Sequence, residues 1–149
     1  MNELEVEYFK EAIAAANDEF YIDAINSFMK IVNEFPDSDL ADDAYYDLGL
    51  CYFQLFQFEK AIEFFMVVIN DYPEGTISVL NGGNEYGHTA AKAWFGIMNC
   101  YLGQGKVEQA KEALSEIERY QDSYLLNANN EKITFFEQAK TSLSKYVNN

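Results

Sequence analysis

Residues 45–52 read YYDLGLCY, and the apolar spacing in and after this stretch predicts a pair of helices. Positions i, i+3, i+4 and i+7, one face of an α-helix, are taken by Tyr45, Leu48, Gly49 and Tyr52. After a short polar turn, a second apolar stripe follows at Phe58, Ala61, Ile62, Phe65 and Val68. Pro73 ends the second helix, because proline lacks an N–H and restricts the residue before it.

The same pattern occurs three times along the chain. Ala24 and Ala61 begin equivalent segments at an offset of 61 − 24 = 37, and Ala110 begins a third at 110 − 61 = 49. An aromatic residue stands 16 positions before each alanine: Tyr8, Tyr45 and Trp94. The additional 49 − 37 = 12 residues of the last interval fall around 75–89. Such regular recurrence predicts an array of stacked hairpins.

These observations predict one all-α domain over residues 1–149. We expect repeats at about 5–38, 42–75 and 91–124, a loop inserted at about 75–89, and a capping helix at about 130–147. Ser38 and Thr89 are the expected N-caps of the helices that follow them. No stretch alternates with period two, so no strands are expected. The inserted loop has two interpretations: a longer connection without a role, or a binding loop at the edge of the array.

The pattern resembles the tetratricopeptide repeat, with its W-x₂-L-G-x₂-Y, A-x₃-F and P signature. The second copy fits it nearly throughout, whereas the first is degenerate in its opening helix and the third has Asp122 in place of the proline. Residues 35–49 look like repeats of bacterial outer-membrane assembly lipoproteins and Tol–Pal-associated cell-division coordinators. The resemblance implies a right-handed superhelix that serves protein–protein interaction as a scaffold.

Charge restricts the class of partner. The chain has 10 Lys+Arg against 25 Asp+Glu, a net charge of −15, and residues 1–47 alone carry −11 (2 bases, 13 acids). Nucleic acid and anionic membranes are therefore excluded as expected partners, since both require basic residues. No apolar run is long enough to span a membrane. The acidic start lacks the features of a signal peptide, so we expect a cytoplasmic protein; a periplasmic one stays open if a leader has been removed.

No group of residues predicts catalysis, a metal site or a cofactor. His88 is the sole histidine, and no nucleophile or orienting partner is signalled near it. Cys51 and Cys100 occupy the same repeat position and are expected in the core. The pair Asp42 and Asp43 is interpreted as a solvated helix start, where the helix dipole favours acids. We therefore expect a protein that is not an enzyme.

A second apolar row lies beside the packing stripe on the first helix of each pair. Its nine positions are Phe9, Ile13, Ala16, Tyr46, Leu50, Phe53, Phe95, Asn99 and Leu102. The resemblance implies that this face lines the concave groove of the array. Because eight of the nine residues are apolar, the groove needs a cover. A partner segment, a second copy of the chain, or the chain's own terminal helix could supply it.

The row and the charge together predict the function. An acidic rim at Asp39, Asp42, Asp43 and Asp47 would favour a protein or peptide partner with basic and apolar character. We expect a non-catalytic interaction module or assembly adaptor that binds a hydrophobic or amphipathic segment in its groove. The alternative is a small acidic secretion-type chaperone that shields a hydrophobic client. A homodimer is also compatible with the sequence.

Overall fold

The computed structural model describes residues 2–80 and 83–148. Within these ranges the chain forms helical hairpins followed by a last helix, with short strands between them. The helices are α1 Glu3–Asn17, α2 Tyr21–Glu34, α3 Ala41–Gln54, α4 Phe58–Asp71, α5 Thr89–Gly103, α6 Val107–Ile117 and α7 Phe135–Val147. The all-α helix–turn–helix architecture is thus confirmed.

The helix starts show which residues cap them. Asn2 opens α1 with a capping box: its Oδ1 accepts from the Leu4 N–H at 2.8 Å, and Glu5 Oε1 accepts from the Asn2 N–H at 2.6 Å. The predicted N-caps of α3 and α5 are wrong: Ser38 stands two residues before the N-cap position of α3, and Thr89 one residue after that of α5. Leu40 and His88 stand at those N-cap positions, and neither side chain makes a capping hydrogen bond.

Each turn within a hairpin contains one residue in the left-handed backbone region. Glu19, Phe56 and Gly105 have φ angles of 65°, 60° and 75°. Their spacings, 56 − 19 = 37 and 105 − 56 = 49, equal the offsets found in the sequence. The third turn alone has glycine, the residue that adopts this conformation without a steric penalty.

Two apolar clusters form the core, one around α1–α3 and one around α4–α7. Phe28 is fully buried in the first cluster and Phe65 in the second. Half-buried Tyr45 and Tyr52 of α3 pack against both clusters, so the two share one helix as a boundary. This continuity is what stacked repeats require, because each hairpin buries its apolar stripe against the next.

The expectation of no strands is wrong. A three-stranded antiparallel sheet in the order β1-β2-β3 consists of β1 Glu85–Tyr86, β2 Tyr124–Leu126 and β3 Lys132–Thr134. Each strand has two or three residues, too few to show alternation in the sequence. β3 also takes the start of the predicted capping helix, so α7 begins at Phe135 rather than near residue 130.

The sheet explains the inserted segment. Glu85 and Tyr86 pair with Leu125 and Tyr124, which joins the insertion to the segment after α6. A further bridge connects Thr76 to His88, and Tyr86 stacks on Tyr124 with ring centroids 5.4 Å apart. The described part of the insertion therefore folds back toward the third helical hairpin and pairs with the β2–β3 strands that follow it. It does not project from the array as a free loop.

Candidate functional site

The structure distributes the predicted groove residues over α1, α3 and α5. Phe9 and Leu102 are buried, and the other seven positions are half-buried. Phe9 packs edge-on against Phe28, and Phe53 lies against Phe58 with ring centroids 5.5 Å apart. Phe9, Phe53 and Leu102 therefore belong to the packing between helices. The other six positions line two small cavities, and Leu50 lines both.

The first cavity, of about 160 Å³, lies between α3 and α5. It brings together four of the predicted residues, Tyr46, Leu50, Phe95 and Asn99. Phe135 of α7, which is 2% exposed, also lines it. The start of the terminal helix thus lies against the predicted groove residues of this cavity.

An ion pair crosses the wall of this first cavity. Lys92 Nζ lies 2.7 Å from Glu85 Oε1 and 4.3 Å from the centroid of the Tyr46 ring. Burial opposes the charged form of Lys92, but the surrounding Tyr46, Glu85 and Asp47 raise its pKa above the ordinary value. Burial also raises the pKa of Tyr46. The lysine is therefore satisfied by groups of this chain and remains charged.

The second cavity, of about 220 Å³, lies between α1 and α3. Ile13, Ala16, Leu50 and Cys51 form its apolar wall, with Asn17, Tyr21 and Gln54 beside them. Asp47 is the one charged residue among the described residues that line it. Burial raises the pKa of Asp47 to about 7, although Lys92 acts in the opposite direction. This carboxyl group is therefore poorly solvated.

The predicted acidic rim is not a row of solvated carboxylates. Asp39 is exposed, but Asp42 and Asp43 are only 4% and 5% exposed, so their interpretation as a solvated helix start is wrong. Asp42 Oδ2 accepts a hydrogen bond from Thr89 Oγ1 at 2.6 Å, and Asp43 Oδ1 accepts from the Ser78 N–H at 3.0 Å. The two aspartates attach the insertion and the start of α5 to α3.

Burial of this pair changes its ionisation. Desolvation, and then the charge of Asp42, raise the pKa of Asp43 to about 8. The pKa of Asp42 is also raised by desolvation, against the hydrogen bond from Thr89. Asp43 Oδ2 is buried and has no hydrogen-bond partner among the residues that the structure describes. No local pattern in the sequence indicated this role, because the partners stand 35 and 47 positions away.

His88 contacts residues that follow α6. The His88 backbone N–H donates to Ser123 Oγ at 2.9 Å, its Nδ1 lies 3.3 Å from Asp122 Oδ2, and its ring packs on Tyr120. These contacts hold the end of the insertion against residues 120–123.

Burial raises the pKa of both Cys51 and Cys100 to about 12, which removes thiolate reactivity near neutral pH.

Sequence reasoning missed a larger cavity. It measures about 690 Å³ and lies between the turn after α2 and the start of the insertion. Asp37, Asp39, Asp42 and Glu74 contribute carboxyl groups to its lining, and Val79 an exposed apolar side chain. The cavity exists because the insertion folds back toward the turn after α2, which no local sequence pattern indicates.

Residues 2–80 and 83–148 contain no group of three or more His, Cys, Asp or Glu side chains arranged to hold a metal ion. None of their helices combines the length and the apolar character needed to cross a bilayer.

Comparison with known proteins identifies the repeats. A tetratricopeptide repeat family model matches residues 43–75 and 92–123, which lie on α3–α4 and α5–α6. Curated protein sequences give no significant match.

Solved structures share the fold at low sequence identity. The Sgt2 TPR domain from Aspergillus fumigatus aligns with a TM-score of 0.65 at 16% identity, covering 99% of this chain and 81% of that one. The Yersinia enterocolitica type III secretion chaperone SycD, in complex with a peptide of the translocator YopD, gives 0.66 at 17%, covering 99% and 92%. The second TPR domain of human RPAP3, in complex with an HSP70 peptide, gives 0.62 at 15%, covering 97% and 96%. Residues 43–75 and 92–123 therefore match the tetratricopeptide repeat, and the chain shares the all-α helix–turn–helix fold of these solved structures.

Proposed function

We propose that this protein is a non-catalytic assembly adaptor that binds an amphipathic segment of a partner protein in its concave groove. The observation that carries the proposal is the cavity between α1 and α3, whose apolar wall includes the predicted groove residues Ile13, Ala16 and Leu50. Peptides are bound in two of the solved structures with this fold, which supports peptide binding as one of its uses.

The division of the groove suggests where the segment binds. Phe135 fills part of the space beside Tyr46 and Phe95, and the Lys92–Glu85 pair satisfies the charges there. Ile13 and Leu50 line the other cavity, which has no such cover from α7 among its described lining residues. The partner segment would therefore lie mainly between α1 and α3, with the first cavity as an extension.

Charge supports a basic partner. The net charge of −15 attracts basic segments over a distance and raises their rate of association, which salt then screens. Apolar residues on one face of the segment would bury the half-buried Ile13 and Leu50. Nucleic acid would be repelled by the same charge.

The experiment is a selection from a displayed peptide library, with binding to wild type compared with binding to Leu50→Asp. A charge at position 50 should abolish selection, because Leu50 lines both cavities. Ile22→Asp is the matched control, since Ile22 is 61% exposed on α2. Circular dichroism and thermal melting verify folding of both variants. Equal selection by wild type and folded Leu50→Asp would place binding elsewhere.

The second candidate is a small acidic secretion-type chaperone. The acidity of this chain, and the near-complete coverage of SycD by the shared fold, are compatible with that role. A chaperone should keep an aggregation-prone client in solution at equimolar ratio, whereas an adaptor should bind a partner that is already soluble. Light scattering of a selected client, with and without the protein, distinguishes the two.

The resemblance of residues 35–49 to bacterial envelope proteins suggests, as a proposal, an origin in bacteria.

A further inference from the structure

We propose that Asp47 determines partner specificity, by pairing with the ammonium or guanidinium group of one lysine or arginine side chain that enters the cavity between α1 and α3. This inference rests on the proposed function, because it assigns the chemistry of the segment that the groove would bind. It goes further by assigning one position of that segment to one residue of this chain.

The shape of the cavity suits a single long side chain. Its volume is about 220 Å³. Ile13, Ala16, Leu50 and Cys51 would contact the methylene stem of a lysine or arginine. Asp47 would then meet the charged end. Basic side chains commonly bind in this way, with the stem on an apolar surface and the charge on a polar partner.

The carboxyl group of Asp47 lacks a counter-ion. Among residues 2–80 and 83–148, no basic nitrogen lies within 4.0 Å of it. Lys92, the base that influences it, is engaged with Glu85 at 2.7 Å and with the face of Tyr46. A half-buried carboxylate without a counter-ion is costly, and a cation from a partner would offset that cost.

The ionisation of Asp47 would respond to a cationic ligand, because a nearby positive charge favours the carboxylate form. Burial raises the pKa of Asp47 to about 7, so its charged form is disfavoured until a positive charge arrives. A carboxylate ligand would add a like charge at the same place. The first cavity makes no comparable demand, since Lys92 and Glu85 neutralise each other within it. Asp47 is therefore the position in the groove where a basic side chain would find an acid without an ion pair among the described residues.

The test uses a peptide selected on the wild-type protein and two synthetic forms of it. One form carries lysine at its enriched basic position, and the other carries norleucine, which keeps the stem and removes the charge. Calorimetry measures both dissociation constants for wild type, Asp47→Asn and Asp23→Asn. Asp23 is an exposed acid on α2, so its variant controls for the loss of one negative charge.

Wild type and Asp23→Asn should prefer the lysine form by about tenfold or more, as hydrogen-bonded charge pairs do. Asp47→Asn should bind both forms with similar affinity and should retain the wild-type affinity for norleucine. A lysine preference that survives in Asp47→Asn overturns the inference. So does selection of peptides without any basic position, even where Leu50→Asp abolishes binding and the proposed function holds.

The remaining outcomes concern the occupant of the groove. If no peptide is selected and analytical ultracentrifugation shows a dimer that Leu50→Asp dissociates, a second copy fills the groove and the inference is wrong. If Leu50→Asp leaves peptide binding unchanged, the proposed function itself fails. The two failures are therefore separated by the Leu50 and Asp47 variants.

Discussion

The ring of Phe65 lies so close to the backbone of Gly49 that a Cβ atom at position 49 would overlap Cε1 of the ring. Gly96 has the same relationship from the other side of the contact, with its Cβ position 2.5 Å from Cζ. α3, α4 and α5 thus meet at one aromatic side chain. The glycine in α5 stands at 96, two positions before the one that repeat alignment assigns, Met98.

Gly49→Ala should destabilise the protein, although alanine favours helix formation more than glycine does. The added methyl group would clash with the fully buried Phe65, a cost of about 1–3 kcal/mol. Urea denaturation measures it. Phe65→Leu should offset part of the clash, so the double variant should lose less than the sum of the single losses. Strict additivity would show that the contact is not the cause.

The buried pair at the start of α3 predicts a pH dependence of stability. Asp43 has a folded-state pKa raised to about 8 from an ordinary value of 3.8. The folded state therefore holds a proton that the unfolded state releases, and stability is lost as the pH rises from about 4 to about 8. The melting temperature should fall between pH 5 and pH 8.

Asp43→Asn removes this titration and should melt with a smaller difference between pH 5 and pH 8 than wild type does. Asp39→Asn is the control, because Asp39 is exposed on the same segment and its loss should leave the wild-type difference intact. An Asp43→Asn protein with the wild-type pH profile would mean that Asp43 is ionised in the fold.

The hydrogen bond from Thr89 to Asp42 should contribute to stability. Thr89→Val keeps the shape of the side chain but leaves a buried carboxyl oxygen without its donor, at a cost of about 1–3 kcal/mol. Thr141→Val is the matched control, since its exposed hydroxyl donates only to the Glu137 carbonyl within α7. Denaturation in urea compares the two. A loss of equal size in both variants would contradict the role of Asp42.

At the left-handed turn positions, removing a glycine should lower stability, whereas introducing one should not. Gly105→Ala should introduce no steric clash, because nothing lies within 4 Å of the Cβ position. The left-handed backbone at φ 75° should nevertheless lower the free energy of unfolding by about 1 kcal/mol. Phe56, at φ 60° and 80% exposed, should be replaceable by glycine with unchanged or higher stability. Thermal melting of both variants tests this. A destabilised Phe56→Gly would show that the phenylalanine ring packs productively on Phe58.

Local patterns in the sequence were sufficient to predict the helices and their pairing. The spacing of Tyr45, Leu48 and Tyr52 determines one helical face, and Pro73 ends the following helix within two residues of its observed end at Asp71. Both signals act within one or two turns of the chain. For the same reason, the recurrence at offsets of 37 and 49 identified the hairpins as stacked repeats.

The surface of the groove was decided by contacts between residues far apart in the chain. Phe135 reaches the cavity beside Tyr46 from almost ninety positions away, and β1 pairs with β2 across about forty. Asp42 and Asp43 are buried because Thr89 and Ser78 arrive as hydrogen-bond donors. Whether a side chain is solvated depends on what folds over it. Local spacing therefore determined the helices of this protein, and only the tertiary structure decided which of the predicted groove residues and which of its carboxylates are buried, because burial depends on contacts between distant segments.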